Sequence, residues 1–117
     1  MPDPRPQVDT SEEPVVVGVK CRSCSHPMAT PRPMCAACGG HVEEASFGPT
    51  GTVYASTVVR IAVGDRTPPY ALAYVDLDEG PRILAHVAGD EVSAPAVESR
   101  VRLTAPRDGD VVVEVVA

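Results

Sequence analysis

Four cysteines in two pairs constrain this 117-residue chain more than any other feature of its sequence. Cys21 and Cys24 form one CxxC pair, Cys35 and Cys38 form another, and ten residues separate the two pairs. Two intervening residues let a tight turn present both thiolates to the same ion, and four thiolates complete a tetrahedron around zinc. The spacing therefore predicts a ribbon with one structural zinc ion, because no coordination position remains for a reacting water molecule.

Other uses of these cysteines remain open. Disulfides require an oxidising compartment, whereas the start of the chain has no secretory signal, so we expect a cytoplasmic protein with free thiols. A redox-active CxxC normally lies at the start of a helix and needs no second pair. A rubredoxin-type iron site, suited to electron transfer, uses the same four thiolates. His26 and His41 are candidate replacement ligands if one cysteine is not used.

The chain divides into three segments by charge and composition. Residues 1–13 contain three prolines among acidic and polar residues, which predicts a disordered tail. Residues 14–46 hold all the cysteines and form the predicted zinc ribbon, within which residues 20–41 carry three basic side chains and no acidic ones. Residues 47–117 are acidic and form the second predicted domain.

The overall charge is -6 and only 3% of the residues are aromatic. Nucleic-acid binding depends on basic side chains that neutralise phosphates and on aromatic rings that stack on bases. This composition therefore argues against a general nucleic-acid binder, which we retain as the alternative function. An apolar run of about 18–20 residues, the length that crosses a bilayer, is also absent from the sequence.

Five runs rich in β-branched residues follow the ribbon and predict five strands. They span residues 52–59, 70–77, 82–87, 97–104 and 111–116, and residues rich in Gly, Pro and Asp separate most of them. Such runs, with no convincing helical periodicity between them, predict a small antiparallel barrel or sandwich. The long connection from Val87 to Val97 is of the kind that closes one end of an OB-type barrel, so the expected fold is mainly β: a small zinc ribbon followed by a five-stranded OB-fold barrel.

Two groups of apolar residues are candidates for partner binding. The last run is almost continuous valine, which is typical of a strand buried on both faces, so a partner subunit is expected to cover Val111, Val113 and Val115. Tyr70 and Tyr74 have the same parity on one strand and point to the same sheet face. Core packing is the first interpretation of these two tyrosines, and a ligand- or partner-facing patch is the second.

The cysteine spacing and strand pattern resemble the DUF35 family, in which a rubredoxin-like zinc ribbon precedes an OB-fold domain. The resemblance covers residues 14–117, and its most specific part is the hairpin PYALAYVDLDEGPR at residues 69–82. It implies an accessory subunit that scaffolds a thiolase-like or other acyl-CoA enzyme, or shapes the acyl-CoA site of that enzyme, in a hetero-oligomer. Such enzymes act in acyl-CoA, polyketide or steroid side-chain metabolism. The helical segment that usually precedes the family's ribbon has no counterpart here.

The residues themselves offer no catalytic candidate. With every cysteine assigned to the metal, the available nucleophiles are serines and threonines, and none lies in a G-x-S-x-G elbow. His86 is interpreted as a strand-surface or hydrogen-bonded histidine, and the acids around Asp78 as the solvated tip of a hairpin. We therefore expect a binding protein rather than an enzyme.

Overall fold

The structure is a computed structural model that describes residues 5–62, 64, 66–89 and 92–116. Within these ranges all the regular elements are β-strands, as the sequence predicted. Four strands form a sheet around the cysteines: β1 (Gln7–Asp9), β2 (Val15–Cys21), β3 (Pro27–Met28) and β4 (Val42–Phe47). Five more strands form a closed barrel: β5 (Thr50–Val59), β6 (Tyr70–Leu77), β7 (Arg82–Val87), β8 (Arg100–Leu103) and β9 (Val112–Val115).

Strand β2 organises the ribbon sheet. Strands β1 and β3 pair with successive parts of β2, and β4 pairs with it from Val16 to Cys21. Gly18 lies where β3 crosses closest, and a Cβ atom there would overlap the carbonyl oxygen of Met28. The valines around this glycine supply the β propensity, while the glycine permits the close approach of the hairpin.

The barrel has the strand order β5-β6-β7-β9-β8, closed by pairing between β8 and β5. All its pairs are antiparallel except β7 with β9. This is the five-stranded OB-fold topology that the resemblance to the DUF35 family implied. The face of β6 and β7, and the loops that follow β5 and β8, therefore occupy the positions where OB folds bind ligands.

Two separate clusters of buried side chains support the two sheets. The smaller one joins Val19 and Met28 to the buried cysteines of the ribbon. The larger one fills the barrel with alternate residues of its strands, and it also contains Val16 and Phe47 from the ribbon sheet. The ribbon is therefore anchored to the barrel by apolar contacts, each worth on the order of 1.5–3 kcal/mol per fully buried side chain.

The segment before residue 14 differs from the disordered tail that the sequence predicted, since residues 7–9 pair with β2 in the structure. Only Val8 is apolar in this strand, so its own sequence carries little β signal. The exposed edge of β2 supplies the hydrogen-bonding partner instead. Arg5 extends this contact to the barrel, where its guanidinium donates to the backbone oxygen of Asp108 at 2.9 Å.

The expected partner face on the last strand requires correction. Val111 is 3% exposed and Val113 is fully buried, and both lie in the core of the barrel itself. The near-continuous valine run therefore reflects burial within the chain at these two positions and does not indicate a subunit interface there. Val115, by contrast, is 50% exposed.

The first interpretation of the tyrosines was also wrong. On β6 the buried positions are taken by Ala71, Ala73 and Val75, whose small side chains fit the narrow interior of a five-stranded barrel. Tyr70 and Tyr74 point to the opposite, outer face, where Tyr74 is 49% exposed.

Candidate functional site

Two matching turns bring the cysteine pairs together. In the first, the backbone N–H of Ser25 donates to the carbonyl oxygen of Cys21 at 3.1 Å, and in the second the N–H of Gly39 donates to that of Cys35 at 2.9 Å. Ser25 and Gly39 both adopt a left-handed backbone conformation, with φ of 64° and 75°. Each CxxC pair therefore forms a knuckle of the kind used in zinc ribbons.

The four sulfur atoms lie within 4.8 Å of one another. The Sγ atoms of Cys21 and Cys38 are 3.5 Å apart, and those of Cys24 and Cys35 are 3.7 Å apart. A tetrahedral ion with metal–sulfur bonds of about 2.3 Å requires sulfur separations of about 3.8 Å. The donor set and its spacing therefore fit one tetrahedrally coordinated metal ion.

Backbone N–H groups prepare two of the thiols for ionisation. The N–H groups of Cys24 and Ser23 donate to Sγ of Cys21, and the first of these is the main reason that the pKa of Cys21 falls to about 6. For Cys35, desolvation opposes ionisation, but the N–H groups of Cys38 and Ala37 outweigh it and lower the pKa. Thiolates are the form that binds metal, so the first cysteine of each knuckle is prepared for ionisation. The pKa of the second cysteine is raised, chiefly by desolvation at Cys24 and by the Sγ atom of Cys21 at Cys38.

The two neighbouring histidines, His26 and His41, take part in the ribbon through their main chain. The carbonyl oxygen of His26 accepts from the N–H of Cys21 at 3.0 Å, and that of His41 accepts from the N–H of Arg22 at 2.9 Å. Among the described residues, the cluster able to hold a metal consists of the four cysteines alone.

A second candidate site is the outer face of β5, β6 and β7, an apolar surface centred on Tyr74 and Leu84. These two residues are directly opposed on neighbouring strands and are each 49% exposed. Tyr54 lies beside them at a β-bulge in β5 and is 52% exposed. Tyr74 and Leu84, together with Ala55 and Leu72, line a groove of about 370 Å³ on this face. Large side chains exposed together in this way are typical of binding surfaces.

Sequence reasoning identified Tyr70 and Tyr74 as candidates on this face and missed Leu84. A signal for Leu84 was present, since the apolar run Ile83–Leu84–Ala85 does not alternate. A strand with apolar residues on both faces indicates that both faces are covered, either by the chain itself or by a partner.

Charged residues border the outer face. The Asp76 carboxylate accepts hydrogen bonds from two guanidinium nitrogens of Arg82, at 2.7 and 3.2 Å. The central carbon of the Arg82 guanidinium lies 3.4 Å from the centre of the Tyr54 ring. Asp78 accepts in the same bidentate manner from Arg100. The hairpin acids therefore make defined ion pairs, where the sequence suggested a merely solvated tip.

His86 lies on β7, directly opposite Leu72, at one end of the same face. Its ring is 5.5 Å from that of Tyr70, and its Nε2 atom is 3.5 Å from Oδ2 of Asp110. Burial lowers the pKa of His86, although the carboxylate of Asp110 opposes this effect. Burial therefore favours the neutral form of this histidine, which the sequence predicted to be a strand-surface or hydrogen-bonded residue.

Comparison with known proteins places this architecture in a family. Residues 44–105 match the family model of the ChsH2 C-terminal OB-fold domain. Two curated relatives are each described as a DUF35 domain-containing scaffold protein. The one from Pyrococcus furiosus is 37% identical over 79 residues, covering 65% of this chain and 57% of the relative. The one from Methanocaldococcus jannaschii is 32% identical over 76 residues, covering 62% and 54%.

A solved structure described as an Ltp2-ChsH2(DUF35) aldolase contains a chain of the same fold, with a TM-score of 0.70 and 24% identity. The match covers 86% of this chain and 84% of that one. The match thus covers most of one chain of that structure, whereas the matches to the two curated relatives cover little more than half of their length. Within the described residues, no helix has the length and apolarity needed to cross a membrane.

Proposed function

The chain belongs to the DUF35 family, and from that premise we propose that it is a non-catalytic scaffold subunit of a thiolase-like or other acyl-CoA enzyme. Two relatives carry the description scaffold protein, and the solved structure that shares the fold pairs a DUF35 protein with Ltp2 in an aldolase. In the proposed complex the partner supplies the catalytic residues. This chain positions the partner and contributes to the surroundings of its acyl-CoA site.

One observation carries the proposal: the barrel leaves a face of large apolar side chains uncovered. Tyr54, Tyr74 and Leu84 are each about half exposed and lie side by side on three paired strands. Tyrosine is favoured at interfaces because its ring buries a large area while its hydroxyl group can still bind water or a partner. The outer face is therefore the proposed docking surface.

The ion pairs that border this face support the same assignment. Arg82 is held between Asp76 and the ring of Tyr54, which fixes the tyrosine in place before a partner binds. A side chain that is already ordered loses less conformational entropy on association. An apolar centre with a charged border is also the usual anatomy of a protein interface.

The metal site has a supporting role in this proposal. We assign zinc to the four cysteines, with a structural function, because a closed set of four thiolates leaves no position for substrate. Bound metal would supply the cohesion that the small ribbon core cannot, on the order of 10–16 kcal/mol for structural zinc in comparable modules. A stable ribbon in turn keeps Val16 and Phe47 packed against the barrel.

Co-expression with a thiolase-fold protein encoded beside this chain in its native genome tests the proposal. The expected result is co-elution of the two proteins in size-exclusion chromatography, with an unchanged ratio after dilution. The matched control is a thiolase from an unrelated operon, which should elute separately. Elution of this chain as a free monomer in both mixtures would contradict the proposal.

A further inference from the structure

A groove separates the ribbon from the tip of the β6–β7 hairpin. It has a volume of about 470 Å³, and its walls are residues 26–30, Arg32 and Ala36 of the ribbon and residues 80–82 of the hairpin. Neither the loop after β5 nor the loop after β8 lines it. The groove therefore lies outside the loops that hold ligands in OB folds.

Both walls of this groove are fixed to the rest of the fold. On the ribbon side, Ala29 packs against the buried cluster of the barrel, and Met28 belongs to the buried cluster of the ribbon. On the hairpin side, Gly80 lies against Phe47, and a Cβ atom at residue 80 would come within 2.9 Å of the phenylalanine side chain. The chain itself therefore sets the spacing of the two walls, and the groove exists before any partner binds.

The ribbon wall presents an open strand edge. Among the described strands, β3 pairs only with β2. In the two residues that follow β3, no backbone hydrogen bond joins Ala29 or Thr30 to another described residue. Extended peptides bind such edges by adding a strand, and main-chain hydrogen bonds then supply much of the affinity. An extended segment is therefore the shape of ligand that suits this wall.

The charged side chains that line the groove are basic. They are Arg32 and Arg82, accompanied by His26, and no acidic side chain of the described residues lines it. Arg82 is partly neutralised by its ion pair with Asp76. Arg32 is exposed, and its side chain makes no hydrogen bond or ion pair with another described residue. Arg32 therefore remains available to an acidic group, in a chain whose formal charge is -6.

Arg82 connects the groove to the outer face of the barrel. Its guanidinium carbon lies 3.4 Å from the centre of the Tyr54 ring, and the same side chain lines the groove. A protein bound to the outer face would therefore lie beside the mouth of the groove.

We propose that this groove binds an extended, acidic segment of a partner protein. Arg32 would pair with a carboxylate of the segment, since guanidinium groups bind carboxylates through paired N–H donors. The main chain of the segment would pair with Ala29 and Thr30, and its apolar side chains would pack on Met28 and Pro81. The proposal concerns the chemistry of the segment and does not depend on the partner being an acyl-CoA enzyme.

The isolated, metal-loaded full chain tests this proposal. We would follow backbone amide signals by NMR at low ionic strength while adding an acetylated hexapeptide of alternating glutamate and leucine. The expected result is saturable shifts at Ala29, Thr30, Arg32 and Gly80, which weaken as salt is added because the contact is partly electrostatic. The matched hexapeptide with lysine in place of glutamate should give no saturable shifts at these residues.

Two substitutions of Arg32 test its role. Arg32→Gln should weaken binding of the acidic hexapeptide about threefold, because an exposed ion pair contributes modestly. Arg32→Glu should weaken it about tenfold, because a like charge then faces the peptide. The matched control is Arg102→Gln, which removes an exposed arginine that pairs with Glu114 elsewhere on the barrel and should leave peptide binding unchanged.

Three results would overturn the proposal. The first is the absence of saturable groove shifts with the acidic hexapeptide up to about 10 mM, beyond the range of weak specific binding. The second is an equal response to the lysine hexapeptide, and the third is an equal effect of Arg32→Gln and Arg102→Gln.

Two further probes identify a different occupant. Inorganic phosphate that shifts the groove amides at the same concentration as the acidic hexapeptide would assign the groove to small anions. Oligothymidylate that binds there more tightly than the hexapeptide, with a steep salt dependence, would assign it to nucleic acid. Either result would also reject the acidic-segment proposal.

Discussion

Asp78 and Arg100 form a bidentate ion pair across the barrel surface, with nitrogen–oxygen distances of 2.9 and 2.6 Å. Thr50 adds a hydrogen bond to the same carboxylate at 2.6 Å. These contacts, with the Arg100 hydrogen bonds the larger cause, lower the pKa of Asp78 from its usual 3.8 to about 2. The pair joins the tip of the β6–β7 hairpin to the start of β8, next to the proposed docking surface.

The Asp78 ion pair should contribute to stability in a defined pH range. Because the folded-state pKa lies below the unfolded one, the contribution is complete above about pH 4 and is lost as the pH falls towards 2. Both side chains are nearly half exposed, so Asp78→Asn should lower the free energy of unfolding by about 1 kcal/mol or less at pH 7. Urea denaturation at pH 7 and pH 2.5 measures this difference.

The Arg102–Glu114 pair is the matched control for that experiment, because it is equally exposed but its closest nitrogen–oxygen distance is 3.8 Å. Glu114→Gln should change stability by only a few tenths of a kcal/mol at either pH. If Asp78→Asn and wild type lost stability in parallel between pH 4 and pH 2.5, the proposed linkage would be wrong.

Substitutions at equivalent positions of the two knuckles should change the stability of the ribbon in opposite directions. Ser25 occupies a left-handed conformation that costs an ordinary residue about 1 kcal/mol, so Ser25→Gly should stabilise the metal-bound ribbon by up to that amount. Gly39 has the same conformation and open space around its Cα, so Gly39→Ala should destabilise it to a similar extent. Thermal unfolding in the presence of excess zinc measures both changes, and a shift of the same sign in both variants would contradict this reasoning.

Metal removal should affect the two sheets unequally. Two of the cysteines, Cys21 and Cys35, share a buried cluster with Val19 and Met28, whereas the barrel has a cluster of its own. A strong chelator should therefore unfold the ribbon around β3 and leave the amides of β5 to β7 protected from hydrogen exchange. Simultaneous loss of barrel protection would contradict the independence of the two clusters.

Elemental analysis before chelation should find one zinc per chain. Iron with a thiolate charge-transfer band would instead favour an electron-transfer role.

Much of this fold follows from local sequence pattern. The CxxC spacing predicted the approach of the four sulfurs, because two-residue knuckles are determined by local turn geometry. The runs at 70–77 and 82–87 predicted β6 and β7 with their exact bounds, since Pro69 and the Asp78–Pro81 turn delimit them. The run at 97–104 was longer than β8 because Glu98 adopts a left-handed turn conformation, with φ of 73°.

Which face of each strand is buried was less predictable from the sequence. Along β6, apolar residues occupy both sets of alternate positions, so the parity of Tyr70 and Tyr74 could not show which face is buried. The width of the barrel determines which face of β6 is buried: the small side chains of Ala71 and Ala73 fit inside, and the larger tyrosines lie outside. Strand β1 depends on pairing with β2, and its own sequence carries little β signal. The contacts of Arg5 and Arg66 with Asp110 join residues 105 and 44 positions apart, and no local pattern records these.

Affinity capture of the tagged full chain from its native host, with mass spectrometry of the bound proteins, tests the central claim most directly. Wild type should recover a thiolase-fold enzyme in near-stoichiometric amount, and Leu84→Glu should reduce that recovery by about tenfold or more, because it places a charge in the centre of the apolar outer face. Val115→Glu, which alters a similarly exposed residue on β9, should leave the recovery unchanged. Equal capture by wild type and Leu84→Glu, or loss of capture only with Val115→Glu, would contradict the proposed docking surface. Recovery of no thiolase-fold enzyme by wild type would contradict the scaffold function itself.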